Sequence, residues 1–251
     1  MSVRFVIVSA PRTGSTLLAR TLNSVPGVCC HGELLLPNRV RGFRDGFDPL
    51  AANADERKAR AGALLQQRES DPAGFVQSAL TGPESAIGMK VIYEDLLQPR
   101  WRAVLNTLLT DPDLRWIHLQ RQNPLRRYVS EQVMLAGGAI HSGMGGKAKS
   151  KVKVAIDIDD FQARTEQIRA QCKQIDDLLA DQTAVSIFYE DLSADPGNTV
   201  AQACQLLNID VSPDQIEPAL EKVGAADLSA AISNYAALLD NELTRPWALS
   251  P

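Results

Sequence analysis

Residues 5–20, Phe-Val-Ile-Val-Ser-Ala-Pro-Arg-Thr-Gly-Ser-Thr-Leu-Leu-Ala-Arg, constrain the fold more than any other stretch of the chain. The β-branched run Phe5–Val8 has the character of a short strand buried on both faces. It stops at Ser9-Ala10-Pro11, after which Leu17, Leu18 and Leu22 recur at helical spacing. A strand that passes through a tight glycine loop into a helix aims free backbone N–H groups and a positive helix end at an anion. Arg12 adds a guanidinium, and Thr13, Ser15 and Thr16 place hydroxyls around Gly14. The loop is a site for a phosphate-like group.

The same alternation continues downstream. Residues 28–30, 85–93, 114–120 and 184–189 read as strands. Helices are expected over 55–67, 72–80, 101–109, 125–136, 161–180, 199–207 and 213–223. This order predicts an α/β fold, a single domain over 1–251 with a P-loop-like central parallel sheet flanked by helices on both faces. A chain of 251 residues, 45% of them hydrophobic, is long enough to bury such a core. The glycine- and lysine-rich stretch 137–153 is expected to be a mobile loop.

A net charge of −4 argues against a nucleic-acid partner. No apolar run approaches the roughly 18 residues that span a bilayer, so no integral membrane segment is expected. The first apolar run is too short for a signal-peptide core, and a cytoplasmic location follows. Cys29, Cys30, Cys172 and Cys204 lack C-x-x-C spacing and are expected to be free thiols.

The loop is not that of a nucleoside triphosphatase. Set against G-x-x-x-x-G-K-[ST], Ser9 stands at the first glycine and Ser15 at the lysine that would reach the β/γ-phosphates. Pro11, Arg12, Thr13, Gly14, Ser15, Thr16 and Leu17 instead resemble, at every position, the 5′-phosphosulfate loop of the sulfotransferases, Pro-Arg-[Ser/Thr]-Gly-[Ser/Thr]-[Ser/Thr]-Leu. Ligands of an open parallel sheet collect beyond the carboxyl ends of its strands, so residues after each strand are read together. After the strand ending at Gln120 comes Arg121-Gln122-Asn123-Pro124-Leu125-Arg126-Arg127-Tyr128-Val129-Ser130. An arginine stands where a triphosphatase usually places a metal-binding Asp. The string is similar to the sulfotransferase 3′-phosphate motif, although Arg121 and Ser130 are nine apart where many cytosolic animal members have eight. Its form is closer to bacterial carbohydrate and lipopolysaccharide-type members. Two anion sites on two strands call for a ligand with two separated phosphates, as in 3′-phosphoadenosine-5′-phosphosulfate (PAPS) and unlike ATP.

Sulfuryl transfer to an alcohol needs a base beside the acceptor hydroxyl. His31 and Glu33, after the second strand, are the candidates closest to the loop. The resemblance to the bacterial group favours Glu33, with His31 as the alternate and the capping of a loop as the structural reading of Glu33. Lys90, inside the strand of residues 85–93, either supports the sulfate charge or covers the sheet surface. Tyr189, in Tyr-Glu-Asp-Leu after the last strand, is placed near the adenine by the resemblance, and Glu190 and Asp191 are expected to cap the next turn. The Arg-Lys-Gly-x-x-Gly-Asp-Trp lid string of the animal enzymes has no match here.

The resemblance thus implies a PAPS-dependent sulfotransferase acting on a small-molecule, carbohydrate or lipid acceptor. Its product would be 3′,5′-adenosine bisphosphate, no metal would take part, and Arg12 would stabilise the charge that develops. A P-loop nucleotide kinase and a non-catalytic nucleotide-binding protein on the same scaffold are the competing readings. The acceptor's identity and the oligomeric state stay open.

Overall fold

The computed structural model describes residues 2–137, 152–217 and 227–250. Strands β1 (Val3–Ser9), β2 (Val28–Glu33), β3 (Ala86–Ile92), β4 (Leu114–Gln120) and β5 (Ala184–Phe188) pair in parallel in the order β2-β3-β1-β4-β5. The central strand β1 is buried from Phe5 to Ser9, which is why Phe5–Val8 runs apolar without alternating. Helices α3 (Pro72–Ala79), α5 (Arg102–Leu109) and α7 (Ile158–Leu179) cover the sheet face that carries Val6, Val8, Met89, Val91 and Trp116. Helices α1 (Ser15–Leu22) and α9 (Pro196–Leu206) cover the face that carries Phe5, Ile7, Ile117 and Leu119. A third apolar cluster ties α6 (Pro124–Leu135) to α10 (Tyr235–Asp240) and α11 (Arg245–Leu249).

One local rule starts three of these helices. Asp71-Pro72, Asn123-Pro124 and Asp195-Pro196 each put an Asx side chain at the N-cap, where it accepts from the N–H of Gly74, Arg126 or Asn198. The proline follows at the first helical position, where its missing N–H costs nothing. Helix α2 (Ala54–Ser70) starts on a capping box between Asn53 and Glu56. Near its end Arg68 is fully buried and donates to the carbonyls of Leu34, Leu36 and Arg39. Arg68 thereby clamps the segment that leaves β2.

Three expectations need correction or limits. The helix expected over 213–223 is a 3-10 turn at Pro213–Gln215, and residues 218–226 lie outside the described part. Most of the expected mobile loop, residues 138–151, also lies outside it. The third and fifth strands stop one residue before Tyr93 and Tyr189, because Tyr-Glu-Asp-Leu occurs twice and starts a short helix each time. These are α4 (Tyr93–Leu96) and α8 (Tyr189–Ala194). All four cysteines are free. No helix among the described residues is long and apolar enough to cross a membrane.

Asp95 in α4 is 5% exposed. Burial, with Glu33 and Glu94 nearby, pushes its carboxyl up to about 6. The folded chain therefore holds this proton more tightly than the unfolded chain. The resulting stability is present below the unfolded pKa of about 4 and is lost as pH rises through the folded value. Asp95→Asn is expected to stabilise the protein by about 1–3 kcal/mol at neutral pH and hardly at all near pH 4. Denaturant midpoints at the two pH values check this.

Candidate active site

The loop between β1 and α1 departs from ordinary backbone at two residues. Gly14, the N-cap of α1, has φ 91°. The Tyr189 ring lies so close that a Cβ there would overlap it. Arg12 also adopts a left-handed conformation, with φ 65°. Such a conformation is costly for a side chain with a Cβ, so the surroundings must hold it. Arg121 does so in part, its Nη1 donating to the Arg12 carbonyl at 3.1 Å. No side chain caps α1, which leaves the N–H groups of its first turn for an anion.

Arg121, one residue past β4, stacks its guanidinium 4.3 Å from the centre of the Tyr189 ring. Arg12 Nε donates to Ser130 Oγ on α6 at 3.3 Å, so the two basic strings of the sequence meet. Glu190 caps neither its own turn nor the next. It accepts from the N–H groups of Gln122 and Asn123 at 3.1 and 3.3 Å and so fixes the loop that carries Arg121. That corrects the expectation for Glu190. Burial lowers the pKa of both Arg12 and Arg121, an electrostatic cost that an anion bound here would offset. The hydroxyl of Thr13, Nε of Arg121 and Nη2 of Arg127 are buried without a hydrogen-bond partner among the described residues. All three residues line one cavity of about 160 Å³.

On the other side of β1, a bulge decides which of the two candidate bases reaches the loop. His31 pairs with Met89, but the register then shifts and Glu33 pairs with Lys90. Without the shift, His31 and Glu33 would share one face of the sheet; with it they face opposite ways. Gly32 sits at the bulge because the chain returns against it. Its N–H donates to Gly42 O at 2.8 Å, and a Cβ there would overlap the Arg41 carbonyl oxygen. Glu33 Oε1 accepts from Lys90 Nζ at 2.8 Å, and Oε2 lies 3.4 Å from Arg41 Nη1. Burial opposes the Glu33 charge, but Lys90 and Arg41 outweigh it and hold the carboxyl below the usual range. Glu33 is also one of the carboxylates that favour the charge on Arg12.

His31 points away from this group. It is 2% exposed. The Arg44 N–H donates to Nδ1 at 3.0 Å, which leaves Nε2 as the protonated nitrogen, 2.8 Å from the Ala79 carbonyl. Phe43 stacks on the ring at 4.9 Å. Burial holds the imidazole below its ordinary pKa.

A family model of the sulfotransferases matches residues 4–213. The chain belongs to the sulfotransferase family. Its fold is similar to the sulfotransferase domain from the curacin biosynthetic pathway, with TM-score 0.58 and 19% identity over 99% of this chain and 89% of that one. It is also similar to the sulfotransferase domain from the Synechococcus PCC 7002 olefin synthase, with TM-score 0.54 and 20% identity over 100% and 88% of the two chains. No curated protein matches it at the level of sequence. It is an enzyme of the PAPS-dependent sulfotransferase class.

In this sulfotransferase Arg12, Thr13, Gly14, Arg121, Ser130 and Tyr189 form one connected group, and Glu33 and Lys90 form another beside it. Leu17 turns toward the core behind α1. Arg127 and Glu190, both named by sequence, belong to the surroundings of the site, as does Arg41, which sequence did not single out. The Arg-x-x-x-Glu spacing of Arg127 and Glu131, an i,i+4 pair at 2.8 Å, was a readable signal.

Proposed function

We propose that this sulfotransferase moves the sulfuryl group of PAPS to a hydroxyl, less readily an amine, of a small-molecule, carbohydrate or lipid acceptor, with Glu33 as base. The observation that carries this reading is the half-buried Glu33–Lys90 pair, 2.8 Å apart, at the carboxyl edge of the sheet next to the Arg12 loop. The loop from Pro11 to Thr16 would hold the 5′-phosphosulfate through its N–H groups and hydroxyls. Arg121 and Ser130 would hold the 3′-phosphate, and the Tyr189 ring the adenine. The unpartnered Thr13 hydroxyl and Arg121 Nε are donors suited to such an anionic ligand.

In the reaction the acceptor oxygen bonds to sulfur as the bond from sulfur to the bridging oxygen breaks. The acceptor proton passes to the Glu33 carboxylate, and 3′,5′-adenosine bisphosphate leaves. Charge grows on the bridging oxygen, where Arg12 and the loop N–H groups stabilise it. Lys90, held by Glu33 at 2.8 Å, would exchange that hold for the sulfuryl oxygens and so free the carboxylate as the donor binds. His31 has no part in this reading, since both of its nitrogens are engaged. Arg12 and Lys90 supply the positive charge and no metal enters the transfer step. The reaction is assigned to the cytoplasm.

Calorimetric titration with 3′,5′-adenosine bisphosphate, 5′-AMP and ATP-Mg²⁺ tests the donor site. The bisphosphate is expected to bind in the micromolar range, 5′-AMP far more weakly, and Arg121→Ala to abolish the difference. Binding of ATP-Mg²⁺ alone would overturn the reading in favour of a nucleotide kinase.

A further inference from the structure

We propose that His118, Cys172 and Asp176 form a zinc site that clips α7 to the carboxyl end of β4. His118 interrupts a strand that is otherwise apolar at its centre, Trp116-Ile117-His118-Leu119, and is 2% exposed. An imidazole so placed needs partners for both nitrogens. Cys172 and Asp176 are four apart on α7 and so share the helix face that packs over it. One donor atom from each of the three residues falls within 4.8 Å of the others, the one such His/Cys/Asp/Glu group among the described residues.

The individual distances gather the three donors around one point. His118 Nδ1 lies 3.0 Å from Asp176 Oδ1, and Cys172 Sγ lies 3.8 Å from Asp176 Oδ2 and 4.0 Å from His118 Nε2, so binding an ion would take small side-chain adjustments. Donors at about 2.0–2.3 Å around a tetrahedral zinc are themselves separated by roughly 3.3–3.7 Å. The Gln120 amide, 3.2 Å from His118 Nδ1 and 3.7 Å from Cys172 Sγ, borders the same point and offers an oxygen as fourth ligand. Sulfur, imidazole and carboxylate together select zinc over magnesium or calcium, which take oxygen donors.

The outer partner is also present. The Tyr93 hydroxyl lies 2.5 Å from His118 Nε2. Without an ion, Nδ1–H donates to the Asp176 carboxylate; an ion on Nδ1 would displace that proton, and the Tyr93 hydroxyl would then accept from Nε2–H, the outer contact that a metal-bound histidine requires. The Asp176 side chain is 53% exposed, which gives the ion a path from solvent.

The site lies on the α7 face of the sheet, the face of Trp116 and Val91. Lys90 alternates with Val91 and faces the opposite side with Glu33, so the zinc lies across the sheet from the Glu33–Lys90 pair. Its role is to hold β4 just ahead of Arg121. Cys172 and Gln120 border the same cavity as Thr13 and Arg121.

The test uses the full chain, stripped with a chelator and titrated with zinc alone against a chromophoric competitor. One equivalent is expected to bind, with a rise in thermal stability set by ligand concentration over Kd. Cobalt(II) in place of zinc is expected to show a thiolate-to-metal charge-transfer band and the intense visible bands of a four-coordinate ion. Cys172→Ser and Asp176→Asn are expected to weaken zinc binding on the order of 100-fold, and Tyr93→Phe by about 10–100-fold. Circular dichroism and denaturant midpoints establish that each variant is folded. Substoichiometric uptake, zinc affinity unchanged in both ligand variants, or a cobalt complex without the thiolate band would each overturn the site. The cluster would then be a metal-free Tyr93–His118–Asp176 hydrogen-bond chain.

Discussion

Glu33→Gln is expected to lower kcat by about 10²–10⁴-fold, the usual range for loss of a positioned general base. Binding of 3′,5′-adenosine bisphosphate should stay within a factor of two or three of wild type, roughly the scatter of a change remote from the phosphates. The amide keeps the shape of the carboxylate and can still accept from Lys90, so the bulge at Gly32 has no reason to move. A Glu33 that merely anchored its loop would show the reverse pattern, with stability falling and turnover following it. The pH profile separates the two further. Lys90 and Arg41 hold the Glu33 pKa down against burial, so the acid limb of kcat/KM should lie below the ordinary glutamate range. Lys90→Met removes the nearer cation and leaves the desolvation in place, so the limb must move to higher pH. An acid limb that Lys90→Met leaves in place would remove Glu33 from the role of base.

The strands and the glycine loop after β1 were legible in the sequence because each depends on neighbours in the chain. An apolar run shows that both faces of β1 are covered, and Pro-Arg-Thr-Gly-Ser-Thr-Leu carries its own loop geometry. The Asx-Pro pairs at 71, 123 and 195 mark three helix starts to within a residue or a few. What sequence reading missed depends on contacts across the fold. His31 and Glu33, two apart, were both expected close to the Arg12 loop. They separate only because the chain returns at Arg41 and Gly42 and presses a bulge into β2. Glu190 looked like a local cap and instead holds the backbone of residues 122 and 123 on another strand's loop. The doubled Tyr-Glu-Asp-Leu was visible in the chain and would have ended both strands one residue sooner. Cys172 and Asp176 looked like ordinary positions of a long helix until packing set them opposite His118.

Arg12→Ala is expected to cost about 10²–10³-fold in kcat, the magnitude for removing one donor aimed at developing charge. Two features make this residue's side chain and backbone separable. Its Nε donates to Ser130 Oγ at 3.3 Å, so in the proposed donor site it would stand between the sulfuryl and 3′-phosphate ends. Its backbone is left-handed, at φ 65°, which a glycine adopts freely and an alanine does not. Arg12→Gly and Arg12→Ala therefore delete the same guanidinium but differ in strain. Glycine should be the more stable variant by about 1 kcal/mol, the relief at positive φ exceeding the entropy that glycine loses on folding. Turnover should fall equally in both if the guanidinium carries the effect. It should fall less in Arg12→Gly if the loop conformation carries it. Steady-state kinetics beside denaturant midpoints distinguish these outcomes. A double-mutant cycle with Ser130→Ala, read on bisphosphate affinity, should then give a coupling of about 0.5–3 kcal/mol if the two anion sites act as one. Additive losses would mean that the bridge across the nucleotide is not used in binding.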